Sequence, residues 1–271
     1  MARPLRVDIP GAVSHVTARA NGRGRLFGTD ECRERLLAGF GAVVERYSWL
    51  CHAYVLMDTH FHLLVETPLP NLSLGMRQLN GCYAQWFNRR HGTRGHLFGG
   101  RFGSVVVERD EHFLAAARYI VLNPLRTRQP RRFRNWRWSS YPATAGLAPV
   151  PSFLTVDELL GRFGSQRQRA QERYADFVAA GIEQTGLQGI LGEIYLGSEE
   201  FVRELAPNER VEEVPRVQWQ PLRPTLEELC RQEEGLLLAY RRYGYRLSEI
   251  GRQLGVHPST VSRALRRAEL R

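Results

Sequence analysis

The chain of 271 residues contains no lysine: all 38 basic residues are arginine, set against 28 acids for a net charge of +10. That absence fits a GC-rich coding sequence and assigns no special role to arginine over lysine. Long hydrophobic runs are also missing. No stretch reaches about 18 consecutive apolar residues, which excludes a membrane-spanning helix, and the opening MARPLRVDIPG lacks the apolar core of a secretory signal. Cysteine is scarce, and Cys32, Cys51, Cys82 and Cys230 form no closely spaced pairs, so neither a zinc ribbon nor a disulfide framework is expected. Free thiols in a reducing compartment are the simple reading, with Cys51 and Cys82 as small core residues. These absences predict a cytoplasmic protein with no membrane partner.

The charge that is present is unevenly spread. It is +11 over residues 1–145, −5 over 146–222 and +4 over 223–271. A basic balance at the two ends suits phosphate binding, with an acidic middle acting as spacer or packing surface. A chain of this length can bury one large core or two to three small ones.

The segment Thr59-His60-Phe61-His62-Leu63-Leu64-Val65-Glu66 reads as a strand. Side chains alternate in a strand, so His60 and His62 share one face while Phe61, Leu63 and Val65 enter a core on the other. Two imidazoles converging on a small volume form a two-pronged metal grip, although solvated histidines on an exposed sheet face would show the same spacing. The pair needs a third ligand and a reactive group. Residues 109–123, RDEHFLAAARYIVLN, read as one helix capped by Asp110 and stopped by Pro124. Phe113, Leu114, Ala117, Ile120 and Val121 make its apolar stripe. Tyr119 and Asn123, four apart, stack on a different face, with Ala116 leaving room beside them; an exposed tyrosine and a C-terminal asparagine would look the same.

Along the chain, strand and helix signals alternate. A strand is expected at 15–18, a helix at 30–47, strands at 49–56 and 61–65, a helix at 72–90 burying Leu74, Leu79, Tyr83, Trp86 and Phe87, a strand at 102–107, and then the tyrosine helix. The order β-α-β-β-α-β-α is that of an α+β, ferredoxin-like antiparallel sheet with packed helices and one extra helix. The predicted domains are 1–145, an all-α helical spacer at 146–206, a proline-containing linker at 207–224, and a small helix-turn-helix at 225–271. In the last, helices at 226–243, 247–254 and 258–267 surround Gly255, and Ile250, Leu254, Val256, Val261 and Leu265 form the core. His257, Ser259, Thr260, Ser262 and Arg263 then face outward at the start of the third helix, where base edges of duplex DNA would be read.

Taken together, these motifs resemble a known family. His60-Phe61-His62 on a strand followed by RYIVLNP, with HVTARANGR, CHAYVLMDTHFHLLVE, HLFGGRFGSVVVERDEHFL and RNWRWSSY around them, is similar to the single-tyrosine HUH transposases, nearest the REP-associated tyrosine transposase branch. The resemblance spans about residues 5–145. Met57-Asp58-Thr59 departs from it, standing where the family more often has a Pro-Asn pair. The resemblance implies a DNA transposase, a site-specific single-strand endonuclease and strand transferase. His60, His62 and the Asn123 carbonyl would hold a divalent metal, Mg or Mn by family behaviour. Tyr119 would be the nucleophile of a covalent 5′-phosphotyrosine. Single-stranded or hairpin DNA is then the expected partner of a nucleoid-associated bacterial protein, monomeric or homodimeric. Arg19, Arg23, Arg25, Arg101 and Arg109 are candidate phosphate contacts, and Trp138 and Tyr141 candidate stacking surfaces for unpaired bases. His15, His52, His91, His96 and His112 read as ordinary core or surface histidines. Two other functions fit the sequence: a DNA-binding regulator that retains the fold without cutting, and a metal-dependent nuclease that uses water and has no need of Tyr119.

Overall fold

The computed structural model describes residues 6–22, 24–109, 111–126, 133–183, 186–206, 221–232 and 234–269. The chain divides into two compact units, Val7–Gly189 and Ile190–Arg271 with the first six residues. The segment 146–206, expected as a separate spacer, is therefore shared between them. Most of the expected linker, with Pro207 and Pro215, lies outside the described residues.

The first unit is built on four antiparallel strands in the order β2-β3-β1-β4: β1 Ala12–Arg19, β2 Leu50–Leu56, β3 His60–Thr67 and β4 Gly103–Val107. With helices α1 (Asp30–Tyr47) and α2 (Leu72–His91) inserted after β1 and β3, this is the ferredoxin-like connectivity. Thr29 caps α1, its hydroxyl accepting from the Cys32 amide, and Ser48 ends it in the left-handed region at φ 54°. Phe61, Leu63 and Val65 are fully buried, each worth roughly 1.5–3 kcal/mol of burial.

In α2 the buried stripe is Leu72, Met76, Leu79 and Tyr83. Leu74, expected inside, sits off that stripe and is 57% exposed, and Trp86 and Phe87 are half-buried. Cys82 is exposed for the same reason, contrary to the core expectation, whereas Cys51 is buried. Gly75 belongs to the buried face because a Cβ there would overlap the Trp49 ring.

Helix α3 (Glu111–Val121) lies on the other side of the sheet, packed on β2, β3 and β4. Its expected cap, Asp110, is outside the described residues. Pro124 has no amide to continue the ladder, so residues Asn123–Arg126 tighten into a 3-10 turn, with the Leu125 amide on the Leu122 carbonyl at 3.0 Å.

Beyond α3 the chain returns to cover the free edge of β2. The Leu56 amide donates to the Trp138 carbonyl, the Ser140 amide to the Tyr54 carbonyl, and the Thr155 amide to the Cys51 carbonyl, at 2.8, 2.9 and 2.7 Å. This strap satisfies an edge that would otherwise offer itself to another strand. It also buries Trp138 and Tyr141, which are 8% and 1% exposed. Tyr141 packs between Phe133 and Tyr174, at centroid distances of 5.2 and 5.9 Å, the latter ring coming from the helix Arg167–Ala180. Neither aromatic is a stacking surface for bases.

The second unit holds a short hairpin, Ile190–Leu191 with Tyr195–Leu196, the helix Glu199–Leu205, and a helical tail. In the tail, Leu229, Ala239, Ile250, Val261 and Leu265 form a small core. The helix expected at 226–243 is broken into Leu226–Cys230, Gly235–Leu237 and a π turn at Leu238–Arg242, because the chain crosses the Leu229 carbonyl so closely at Gly235 that no Cβ fits. The helices Leu247–Leu254 and Pro258–Glu269 flank Gly255, whose φ of 66° makes the turn. That turn packs its backbone against Gly251, where a Cβ would come within 2.7 Å of the Val256 carbonyl oxygen. Leu254 and Val256, expected in the core, are 41% and 40% exposed. Among the described residues no helix is long and apolar enough to cross a membrane.

Candidate tyrosine–histidine site

Strand register brings the site together. Thr17 of β1 pairs with His62 and Arg19 with His60, so His15, Thr17 and Arg19 share a sheet face with the two histidines. Helix α3 lies across that face. Tyr119 points down onto it, its ring centroid 6.0 Å from His62 and 5.6 Å from His15, and the His60 and His62 rings are 5.0 Å apart.

Each histidine of the pair has one nitrogen engaged. The Thr59 hydroxyl lies 3.0 Å from His60 Nδ1, and His15 Nε2 lies 2.8 Å from His62 Nδ1. Nε2 is the remaining donor on both rings. Burial, with Arg19 adding repulsion, lowers the His60 pKa. Burial also drives His62 well below the usual histidine range, helped by the charges His15, His60, Arg19 and Arg126 would present. His15, buried outright, is lowered to about 4. At neutral pH all three are uncharged bases.

Tyr119 is half-buried and lines a cavity of ≈ 450 Å³ together with Ala115, Arg118, Leu122 and Arg126. The Arg126 guanidinium lies 3.9 Å over its ring. Ala116, expected beside Tyr119, is fully buried, and Ala115 lines the cavity in its place. Asn123 is buried and turned back on its own helix, its Nδ2 donating to the carbonyls of Tyr119 at 2.9 Å and Ile120 at 3.4 Å. That leaves its Oδ1 as the atom able to ligate.

Two residues that lie against the Tyr119 ring carry no local signal in the sequence. His15 reads as an ordinary histidine, yet it contacts His62 directly; its alternation with Thr17 and Arg19 becomes informative only once the β1–β3 register is known. Arg126, one helical turn beyond Leu122, carried no motif. Of the expected phosphate contacts, Arg19, Arg25 and Arg101 are exposed, and Arg23 is outside the described residues. Arg109, expected at a phosphate, is paired with carboxylates instead. It is tied up at the far end of α3, donating to Glu66 at 2.6 Å and to Glu158 at 2.7 Å. Beside it lies His52, whose Nε2 is 3.4 Å from Glu66 and 3.7 Å from Glu158. In the tail, His257, Ser259, Thr260 and Arg263 are exposed and Ser262 half-exposed at the start of the last helix.

Fold and site thus define a class: a ferredoxin-like sheet whose central strand presents a histidine pair to a tyrosine on an overlying helix. Residues 10–123 match the model of the family described as "Transposase IS200 like". Among solved structures, a REP-associated tyrosine transposase bound to a REP hairpin is similar at 19% identity, with a TM-score of 0.47 over 58% of this chain and 93% of that one. No curated protein matches the chain.

Proposed function

We propose that the protein is a transposase that nicks single-stranded or hairpin DNA and transfers the strand through a covalent bond to Tyr119. The observation that carries this reading is Tyr119 set edge-on to His62, whose ring stands beside that of His60 on one sheet face, with both Nδ1 atoms occupied and both Nε2 atoms left to ligate. Two neutral imidazoles and an amide oxygen suit a divalent cation, so the residues fit the metal that the resemblance implies. His60 Nε2, His62 Nε2 and Asn123 Oδ1 would hold it. When bound, the cation offsets charge developing on the scissile phosphate. Magnesium or manganese is the proposed ion.

Tyr119 Oη attacks the phosphorus, the bond to the 3′ oxygen breaks, the phenolic proton is lost and the 3′ oxygen is released as a hydroxyl. The product is a 5′-phosphotyrosine. Phosphodiester energy is conserved, so attack by another 3′-hydroxyl reverses the step onto a new strand without ATP. His15 holds the His62 ring through Nδ1, the role a supporting residue plays behind a ligand. Arg126 and Arg118 line the cavity beside Tyr119, where a phosphate would be held. A regular duplex cannot deliver its phosphate to so recessed a site, which is why the substrate is unpaired or hairpin DNA. The tail would add duplex binding through Ser259, Thr260 and Arg263, in the manner of a helix-turn-helix.

The test is to incubate the protein with a single-stranded oligonucleotide and manganese, then resolve adducts on a denaturing gel. The parent should give a DNA-linked species, and Tyr119→Phe should give none while keeping fold and cation binding. An adduct that survives Tyr119→Phe means another nucleophile. Cleavage that survives without any adduct in the parent means a hydrolase that uses water.

A further inference from the structure

The end of α3 remote from Tyr119 rests on a second cluster of metal-binding side chains. His52 on β2, Glu66 on β3 and Glu158 on the short helix Asp157–Gly161 bring one ligand atom each to within 4.8 Å of one another. Glu66 lies on the same face of β3 as His60 and His62 but at the opposite end of the strand. His52 is completely buried, and neither of its ring nitrogens has a hydrogen-bond partner; Glu66 Oε2 has none either.

Arg109 does not fill this gap. Its two Nη atoms hold the Oε1 atoms of Glu66 and Glu158, at 2.6 and 2.7 Å, which turns both Oε2 atoms toward His52 Nε2, at 3.4 and 3.7 Å. Those separations are poor for direct hydrogen bonds but match the ligand-to-ligand edge of about 3.4 Å in a tetrahedral zinc site with bonds near 2.1 Å. Glu66 and Glu158 carry two negative charges against the single positive charge of Arg109, so a divalent cation is electrostatically welcome.

We propose that His52 Nε2, Glu66 Oε2 and Glu158 Oε2 form a second cation site for Zn2+ or a similar first-row divalent ion, with Arg109 orienting both carboxylates from behind. Burial outweighs the two carboxylates and keeps the His52 pKa low, so its lone pair is available at neutral pH. The site would staple β2 and β3 to the segment carrying Glu158, directly under the first turns of the tyrosine helix, where Phe113 packs edge-on against His52 at 5.0 Å. Its role is to fix the platform on which α3 lies, separate from the chemistry at His60 and His62.

The experiment counts Zn2+ bound to the purified full-length chain after dialysis, with Co2+ absorption as a second readout. Glu158→Gln should lose one cation per chain, and Zn2+ should raise the unfolding midpoint of the parent but not of this variant. Glu158→His, which restores a ligand, should keep the ion. A His60→Ala/His62→Ala protein should keep it too, so failure of the proposed catalytic site and failure of this one are read separately. Fold is checked in chelator, where Glu158→Gln should unfold as cooperatively as the parent. Unchanged cation counts in Glu158→Gln, or a folded His60→Ala/His62→Ala protein that binds none, overturns the proposal.

Discussion

Acid should weaken this fold through one buried base more than through any surface charge. His15 has its pKa lowered from 6.5 to about 4 by burial, and it is 6% exposed. In the folded chain it stays neutral until the pH approaches 4, whereas in the unfolded chain it takes a proton near 6.5. Between those values the unfolded state binds more protons, so stability is fully present above pH 6.5 and drains away as the pH falls. At pH 5 the unfolded histidine is almost fully protonated and the folded one scarcely at all, a difference of about 2 kcal/mol; below pH 4 it approaches about 3 kcal/mol. The measurement is urea unfolding at pH 7.5 and 5.0 in the presence of chelator, for the parent and for His15→Gln, which keeps a polar side chain but cannot titrate. Carboxylates and the histidines that do not touch His15 contribute to both proteins and cancel in the comparison. The parent should lose about 2 kcal/mol more than the variant on going to pH 5. Equal losses would refute the reasoning.

Three further outcomes are expected. Asn123→Ala removes the Oδ1 ligand, so calorimetry should find weaker cation binding than in the parent but stronger than in His60→Ala/His62→Ala, and it removes the Nδ2 bonds to the Tyr119 and Ile120 carbonyls, with about 1 kcal/mol lost in stability. Gly75→Ala gains about 1 kcal/mol of helix propensity but drives a methyl into the Trp49 ring, which the Asn71 side chain pins at 2.7 Å; overpacking of roughly 1–3 kcal/mol should win and lower the urea midpoint. Arg263→Ala should weaken binding to duplex DNA and flatten the salt dependence by about one unit of slope, measured by fluorescence anisotropy across a salt series.

The legible parts of this protein are those that depend on local periodicity. Alternation in HFHLLVE put His60 and His62 on the face opposite Phe61, Leu63 and Val65, and the helical period put Tyr119 off the apolar stripe of α3. The ferredoxin-like strand order followed from the sequence of elements. What stayed hidden depends on pairings between distant segments. The burial of Trp138 and Tyr141 follows from β2 being an edge strand that the later chain must cover, which no local pattern reveals. The partnership of His15 with His62 spans 47 residues and needs the register of β1 on β3. Arg109 looked like a free phosphate contact because its partner Glu158 lies 49 residues further on. Leu254 and Val256 have the right residue type for a core, but the close approach of the turn to Gly251 leaves their side chains outside it.

Strand β3 carries Phe61, Leu63 and Val65 inward and His60, His62 and Glu66 toward α3, so its two sets of side chains are interleaved along one piece of backbone. A slip of a single residue against β1 would exchange the sets, placing imidazoles and a carboxylate in the hydrocarbon interior and bare aromatic and aliphatic groups beneath the tyrosine. A one-residue insertion or deletion inside β3 is thus close to a frameshift in three dimensions, lethal to fold and chemistry together. The turn at Asp58-Thr59 is more forgiving in principle, since a change of length there can be absorbed before the pairing begins. In a library of length variants, survivors should therefore cluster in that turn and be absent from the strand that follows it.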